Sequence, residues 1–546
     1  MTKFLDSFFS KNKIALTVFL IFGFLCGAIF RFQEMFWDTI NYHYYNAWAF
    51  LNDRMNVDVI PAYVNTFFSP FIELPFYYLV NALDDHPVLF SAIMALPYGG
   101  LLFTAYKITT LFFPADTPQG RIRIGLTIML SICSYAVFEQ LSGETHEHSL
   151  SMLTLIAFYL LLKSITLKTY KARYYVISGF LLGVAAGLKM TYCLYAAGTG
   201  ISLILFFRRL DKPGKSILLF TLAGTIGFLL TYGYWGWLMW KNYQNPIFPF
   251  FNNIFHSPYW LGPNYSDIRY FEKTWLTVLL WPFFLFYNIN YVVPLMATHN
   301  VSYLRVSIAM VFILLFLFRP VTSRISVRFK TRKREQGIGF LMFASYNKDG
   351  HYTKENDHFN FLILWMIVVY IIWLIFFRIY RYLIPFDLML AIILIHFLFR
   401  KSTIKFPDMR LTLLVLFSIY SAFEMSDCYS RPVDKSLLPI KTISVPDHSL
   451  LVLNQIPSAI FVPFLAKNDT IRAVLDPKVT TDVNGTRFHT TGYFASMSRK
   501  IIQEAKEKKQ TILEITGRTR GRPCLKIGEL TYDKNFTQPY YLCWEK

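Results

Sequence analysis

An aspartate, a histidine, amides and a wall of aromatic rings follow the first apolar run of this chain: Phe36-Trp37-Asp38-Thr39-Ile40-Asn41-Tyr42-His43-Tyr44-Tyr45-Asn46-Ala47-Trp48. A carboxylate such as Asp38 can take a proton from an attacking hydroxyl, with His43 beside it as a second acid–base group. Rings also stack on sugar faces, so Asn41, Tyr42 and Trp48 are expected to contact a sugar or an acceptor. Glu73 adds a further carboxylate downstream. The alternatives are structural: Asp is a favoured helix N-cap, His43 serves equally as a hydrogen-bonded core histidine, and the rings suit an interfacial aromatic belt.

A second cluster is denser. Glu144, His146, Glu147 and His148 crowd between two apolar runs. Carboxylates and imidazoles together can ligate a divalent metal. Glu144, His146 and Glu147 are therefore the expected metal ligands, Mg or Mn is the cofactor they suggest, and Glu144 is also a candidate catalytic acid. The competing role is a solvated turn capping the next span, and the spacing is not that of HExxH. Lys189 ends another apolar run, and Arg381 and Tyr382 immediately precede Pro385. A lysine point charge and a planar guanidinium suit a phosphate; both side chains also serve as headgroup anchors. Asn245 and Asn253 lie in the proline-broken stretch Asn245–Tyr259 and complete the candidate sugar contacts.

No Walker lysine motif, dinucleotide GxGxxG or Gly-x-Ser-x-Gly elbow is present. A transferred group must then come from a donor in the membrane. The elements positioning these residues are read from composition. Of 546 residues, 54% are hydrophobic and 16% charged, too little charge to coat a soluble surface. The net charge of +20 falls in short loops on alternate sides of the apolar runs. That is the positive-inside pattern, so nucleic acid is not expected as a partner and membrane lipid is.

The N-terminus, with Lys3, Lys11 and Lys13, is placed in the cytoplasm and Ile14–Phe32 is the first span. Ile40–Leu51 and Phe71–Leu83 are expected as interfacial amphipathic helices, Ile124–Leu141 as the third span, and Trp275–Leu295 as a re-entrant segment before the basic run Arg319–Arg334. The result is an all-α polytopic protein of about 11 transmembrane helices. A transmembrane module over 1–424, with an outer loop at 33–87, precedes a small α+β domain over 425–546. Cys26, Cys133 and Cys193 are small buried hydrophobes, whereas Cys524 and Cys543 are able to pair if their domain is exported.

At this point the chain resembles the GT-C class of integral-membrane glycosyltransferases, and within it a bacterial subgroup. The resemblance rests on Asp38-Thr-Ile-Asn41-Tyr42-His43, Phe67-Phe68-Ser69-Pro70-Phe-Ile-Glu73-Leu-Pro75, Gly187-Leu-Lys189-Met-Thr191, Asn245-Pro246-Ile-Phe248-Pro249 and Arg381-Tyr382-Leu-Ile-Pro385. It covers about residues 30–390. The subgroup pattern departs at Ser69 and Glu73, where it favours Asn and Asp. The resemblance implies a polyprenyl-phosphate-linked sugar as donor, a lipid or glycan acceptor, and a site outside a bacterial inner membrane. It implies Asp38 as base or metal partner, Glu144 and Glu147 as second-loop acids, and Lys189 and Arg381 on the lipid phosphate. An O-antigen polymerase or ligase is the competing enzyme. A transporter or flippase is the competing class, and it predicts an internal repeat that the sequence lacks.

Overall fold

The computed structural model describes residues 12–30, 37–141, 146–167, 171–260, 357–377, 379–399, 404, 408–426, 436–479, 492–519, 521–533 and 536–544. Glu144, the re-entrant candidate Trp275–Leu295 and the basic run Arg319–Arg334 lie outside the described residues. Among those described, the helices long and apolar enough to cross a membrane are Pro87–Phe112, Glu147–Thr166, Pro213–Tyr243, Asp357–Phe376 and Tyr380–Phe399. Shorter apolar helices run over Lys13–Ile29, Ala172–Leu188, Met190–Leu205 and Met409–Tyr420. The chain is accordingly a multi-pass membrane protein, mostly helical, with a small C-terminal sheet.

Close approach of two of these helices depends on glycine. Gly179, Gly183 and Gly187 recur every fourth residue on Ala172–Leu188 and form one edge against Pro213–Tyr243. A Cβ at Gly183 would sit 2.0 Å from the carbonyl oxygen of Gly224. Small residues at this spacing let backbones touch where lipid supplies no hydrophobic drive.

The expected third span is shorter than its apolar run. The helix covers Pro118–Ile132, and a separate turn follows at Tyr135–Phe138. Ser134 causes the break: its hydroxyl accepts from the Val137 amide and donates to the buried Asp387 carboxylate.

The first outer loop also differs from expectation. Ile40–Leu51 is not one regular amphipathic helix. It is a π-helical turn, Thr39–His43, followed by an α-helix, Tyr44–Leu51, and Ile40, Asn41, Tyr42, His43, Tyr44, Tyr45 and Ala47 are all buried. The C-terminal domain covers it. That domain carries a five-stranded sheet in the order β2-β1-β3-β5-β4. Its strands are β1 Leu450–Leu453, β2 Arg472–Leu475, β3 Ile512–Thr516, β4 Cys524–Asp533 and β5 Phe536–Trp544. β1, β2 and β3 are parallel, while β5 pairs antiparallel with β3 and β4. Cys524 and Cys543 face each other across β4 and β5 and form a disulfide.

Loop and domain share one hydrophobic core, in which Ile40, Tyr44 and Val64 pack with Leu451, Ile460 and Phe461. Arg54 is 1% exposed. It donates to Asp58 at 2.7 Å and to the carbonyls of Asn468 and Ile471 at 3.0 and 2.5 Å. Asp58 accepts from the Ala473 amide at 2.8 Å, and Val59 bridges Val474 as an added strand position. A buried charge persists only when paired in this way.

Candidate active site

The charged residues singled out above stand at helix ends. Asp38 follows the Lys13–Ile29 helix, Glu147 opens Glu147–Thr166, Lys189 closes Ala172–Leu188 and Arg381 lies in the 3-10 turn before Ile384–Phe399. Alternating helix directions bring these ends to one side of the bundle. Lys189 marks a true stop: its backbone is extended (φ −144°, ψ 112°), and a 3-10 turn, Met190–Tyr192, follows.

Asp38 does not act as an N-cap. Its backbone is helical and its side chain makes no capping bond. The carboxylate instead accepts from Arg381 Nη2 at 2.9 Å. Glu147 is fully buried and takes three partners: Lys189 Nζ at 2.6 Å, the Tyr192 hydroxyl at 2.9 Å and Arg381 Nε at 4.0 Å. Tyr382 lies under both cations, its ring 5.8 Å from Lys189 Nζ and 5.4 Å from the Arg381 guanidinium carbon. Tyr195 fixes the Tyr382 carbonyl with a 2.5 Å hydrogen bond. Two carboxylates and two cations thus form one interlocked, charge-balanced group. Burial pushes the Asp38 carboxyl up, but Arg381, His43 and Lys189 outweigh it and hold the group below the usual carboxylate range.

The second-loop cluster splits. Consecutive residues at a helix start point about 100° apart, so His146 and Glu147 do not share a ligand set. His146 turns to Glu73 (Nε2 to Oε2, 2.6 Å), Glu147 turns to Lys189, and His148 Nε2 meets the Val137 carbonyl at 2.6 Å. His43 Nδ1 approaches the other oxygen of Glu73 at 2.6 Å. Among the described residues, the three-residue set able to hold an ion is His43, Glu73 and His146; Glu144 of the expected set lies outside them. Burial pushes the Glu73 carboxyl up, and the two imidazoles reverse this and bring it to about 2.

Of the expected sugar contacts, Tyr42 stands against His43, ring centroids 4.2 Å apart. Asn41 is buried and donates to the Ala62 carbonyl at 3.2 Å. Trp48 lies elsewhere, packed on Tyr45 and on the Arg54 guanidinium that reaches the C-terminal domain. Asn245 commits both ends of its amide to its own loop, donating to Phe250 O and accepting from Ile247 N. Asn253 is exposed on the short helix Asn252–Phe255.

Sequence reading passes over Glu139 and Tyr192. Glu139 lies in the turn after Tyr135–Phe138 and feels the charge of Arg381; burial pushes its carboxyl up to about 8 despite that cation. A lone acid closing an apolar run is the available signal. Tyr192 has none, because its role depends on Glu147 being next to it.

No protein-family model and no curated protein matches the chain. Its structure does match the crystal structure of ArnT from Cupriavidus metallidurans bound to undecaprenyl phosphate, at a TM-score of 0.53 and 10% identity over 98% of each chain. At that identity the likeness shows the fold alone: the chain shares the fold of this undecaprenyl-phosphate-bound protein, in keeping with the sequence resemblance.

Proposed function

We propose that this protein is a glycosyltransferase that moves a sugar from a polyprenyl-phosphate donor to an acceptor hydroxyl at the extracytoplasmic face of a bacterial inner membrane. The observation that carries the reading is the Asp38–Arg381 and Glu147–Lys189 group, set in a fold shared with a structure bound to undecaprenyl phosphate. Arg381 Nε is buried and makes no hydrogen bond, which leaves a guanidinium N–H for an incoming anion. At 4.0 Å the Glu147 carboxylate pairs with this N–H by charge only; a buried donor without a hydrogen bond is costly, and a phosphate oxygen would relieve it.

The chemistry follows from exchange of partners. The donor phosphate competes with the carboxylates for Arg381 and Lys189. As Arg381 turns to phosphate, Asp38 loses the cation that suppresses its basicity. Asp38 then accepts the proton of the acceptor hydroxyl while that oxygen bonds to the anomeric carbon. The bond from the anomeric carbon to the phosphate oxygen breaks, and its electron pair leaves with the lipid phosphate. Attack opposite the leaving group inverts the anomeric centre. Glu147 and Tyr192 keep Lys189 in place, and Glu144 remains a candidate second-loop acid.

Orientation is supported by the Cys524–Cys543 disulfide, since disulfides persist in oxidising compartments. The domain that holds it packs on the loop carrying Asp38. The test is transfer in membranes supplied with labelled polyprenyl-phosphate sugar: wild type transfers label and Asp38→Asn does not. Full transfer by Asp38→Asn would overturn the assignment of the base.

A further inference from the structure

Three side chains from three separate segments meet behind the Asp38 group. His43 comes from the π-helical turn, Glu73 opens the helix Glu73–Ala82, and His146 precedes the helix Glu147–Thr166. They are 1%, 3% and 7% exposed, and their donor atoms lie within 4.8 Å of one another. The imidazole rings stand nearly perpendicular, at 89° with centroids 5.7 Å apart.

Two features are poorly explained by hydrogen bonding alone. Neither ring nitrogen of His43 makes an aligned hydrogen bond, although Glu73 Oε1 lies only 2.6 Å from Nδ1. A buried ring nitrogen left without a hydrogen bond, as at His43 Nε2, is destabilising. His146 holds a left-handed backbone (φ 61°), a conformation non-glycine residues rarely adopt, and it aims the ring at Glu73. The chain thus accepts backbone strain at His146 to bring a second imidazole onto the Glu73 carboxylate.

We propose that His43, Glu73 and His146 form a buried binding site for one zinc-like transition-metal ion. Two imidazoles and one carboxylate match the donor preference of zinc, whereas magnesium favours all-oxygen shells with retained water. Tetrahedral zinc separates its donors by about 3.3 Å, so the 2.6 Å contacts need to open by less than about 1 Å. Three protein donors leave a position for water or a hydroxyl. The ion would tie the turn bearing Asp38 to the second outer loop. This site is distinct from the Asp38–Arg381 group and does not rest on the transferase reading.

The test uses the full-length protein in detergent, stripped with a chelator and dialysed against zinc chloride. Wild type is expected to retain about one zinc per chain by elemental mass spectrometry. Glu73→Gln and His146→Asn should weaken binding by about 100-fold or more; asparagine suits the left-handed backbone at 146. His43→Cys, at a residue with ordinary helical backbone, should keep the ion. Loaded with cobalt(II), it should gain a thiolate charge-transfer band that wild type lacks. Equal zinc in wild type, Glu73→Gln and His146→Asn overturns the site, as does a cobalt-loaded His43→Cys protein without that band. Metal content is read without transfer, so the result stands apart from any failure of catalysis.

Discussion

The Asp38 carboxylate accepts a 2.9 Å hydrogen bond from Arg381 across 343 positions of sequence. This pair sets the charge state of the candidate base. With Arg381 removed, burial meets less opposition at Asp38 and pushes its carboxyl up. A rate that needs ionised Asp38 then fails first on the acid side. In Arg381→Gln the acid limb of the pH–rate profile should move to higher pH, and the donor KM should rise about 10- to 100-fold for the lost charge-assisted bonds. An unshifted acid limb would show that Arg381 does not govern Asp38.

Replacing the base itself should act on turnover. Asp38→Asn keeps size and polarity, so insertion and folding should persist. Loss of a general base lowers kcat by about 100-fold or more. Steady-state transfer from labelled donor, with protein yield in the membrane as control, separates this from a folding defect.

Glu139 makes a prediction about stability. Its folded carboxyl titrates near 8 rather than at the ordinary 4.5. The native state therefore holds a proton that the unfolded chain releases, and stability from this group falls as pH rises through that window. Glu139→Gln should match wild type at about pH 4 and exceed it at about pH 9, by at most a few kcal/mol. Thermal melts in detergent at the two pH values check the sign.

Helix contact reaches the site through Lys189. Gly183→Leu forces a side chain against the Gly224 carbonyl, whereas a Cβ at Gly125 would meet nothing within 4 Å. Overpacking of this kind costs about 1–3 kcal/mol or more. Gly183→Leu should lower the melting temperature and donor binding together, while Gly125→Leu leaves both near wild type.

Sidedness has its own check. Lys508 is exposed on the C-terminal domain and Lys215 is exposed at the start of Pro213–Tyr243. In intact spheroplasts an impermeant thiol reagent should label Lys508→Cys and not Lys215→Cys. Equal labelling would break the orientation argued from the disulfide.

Much of the helical frame is legible in the sequence, because a bilayer demands long apolar runs and charge bias separates their ends. The run at Ile217–Trp240 lies within the helix Pro213–Tyr243, and that at Phe359–Phe377 overlaps Asp357–Phe376. Asp38, Glu147, Lys189 and Arg381 are legible as candidates for the same reason: ionisable groups close to the hydrocarbon core are costly unless paired or hydrated. Their pairing is not legible. Nothing local says that Asp38 meets Arg381, or that His146 and Glu147 face different partners. Burial of residues 40–49 escapes sequence reading because the apolar pattern fits a lipid surface as well as a protein one, and the cover lies about four hundred residues later. The Gly179-Gly183-Gly187 repeat, by contrast, is visible in the sequence, but its partner helix is not.

The stitching of Arg54, Asp58 and Val59 to Ile471, Ala473 and Val474 has a consequence for the order of synthesis. The loop that bears Asp38 leaves the ribosome more than four hundred residues before those that roof it. A nascent or prematurely terminated copy would carry the first loop without its lid. Such a fragment, even fully inserted, should be inert, so under the proposed activity the bilayer need never host a half-built enzyme that consumes its donor.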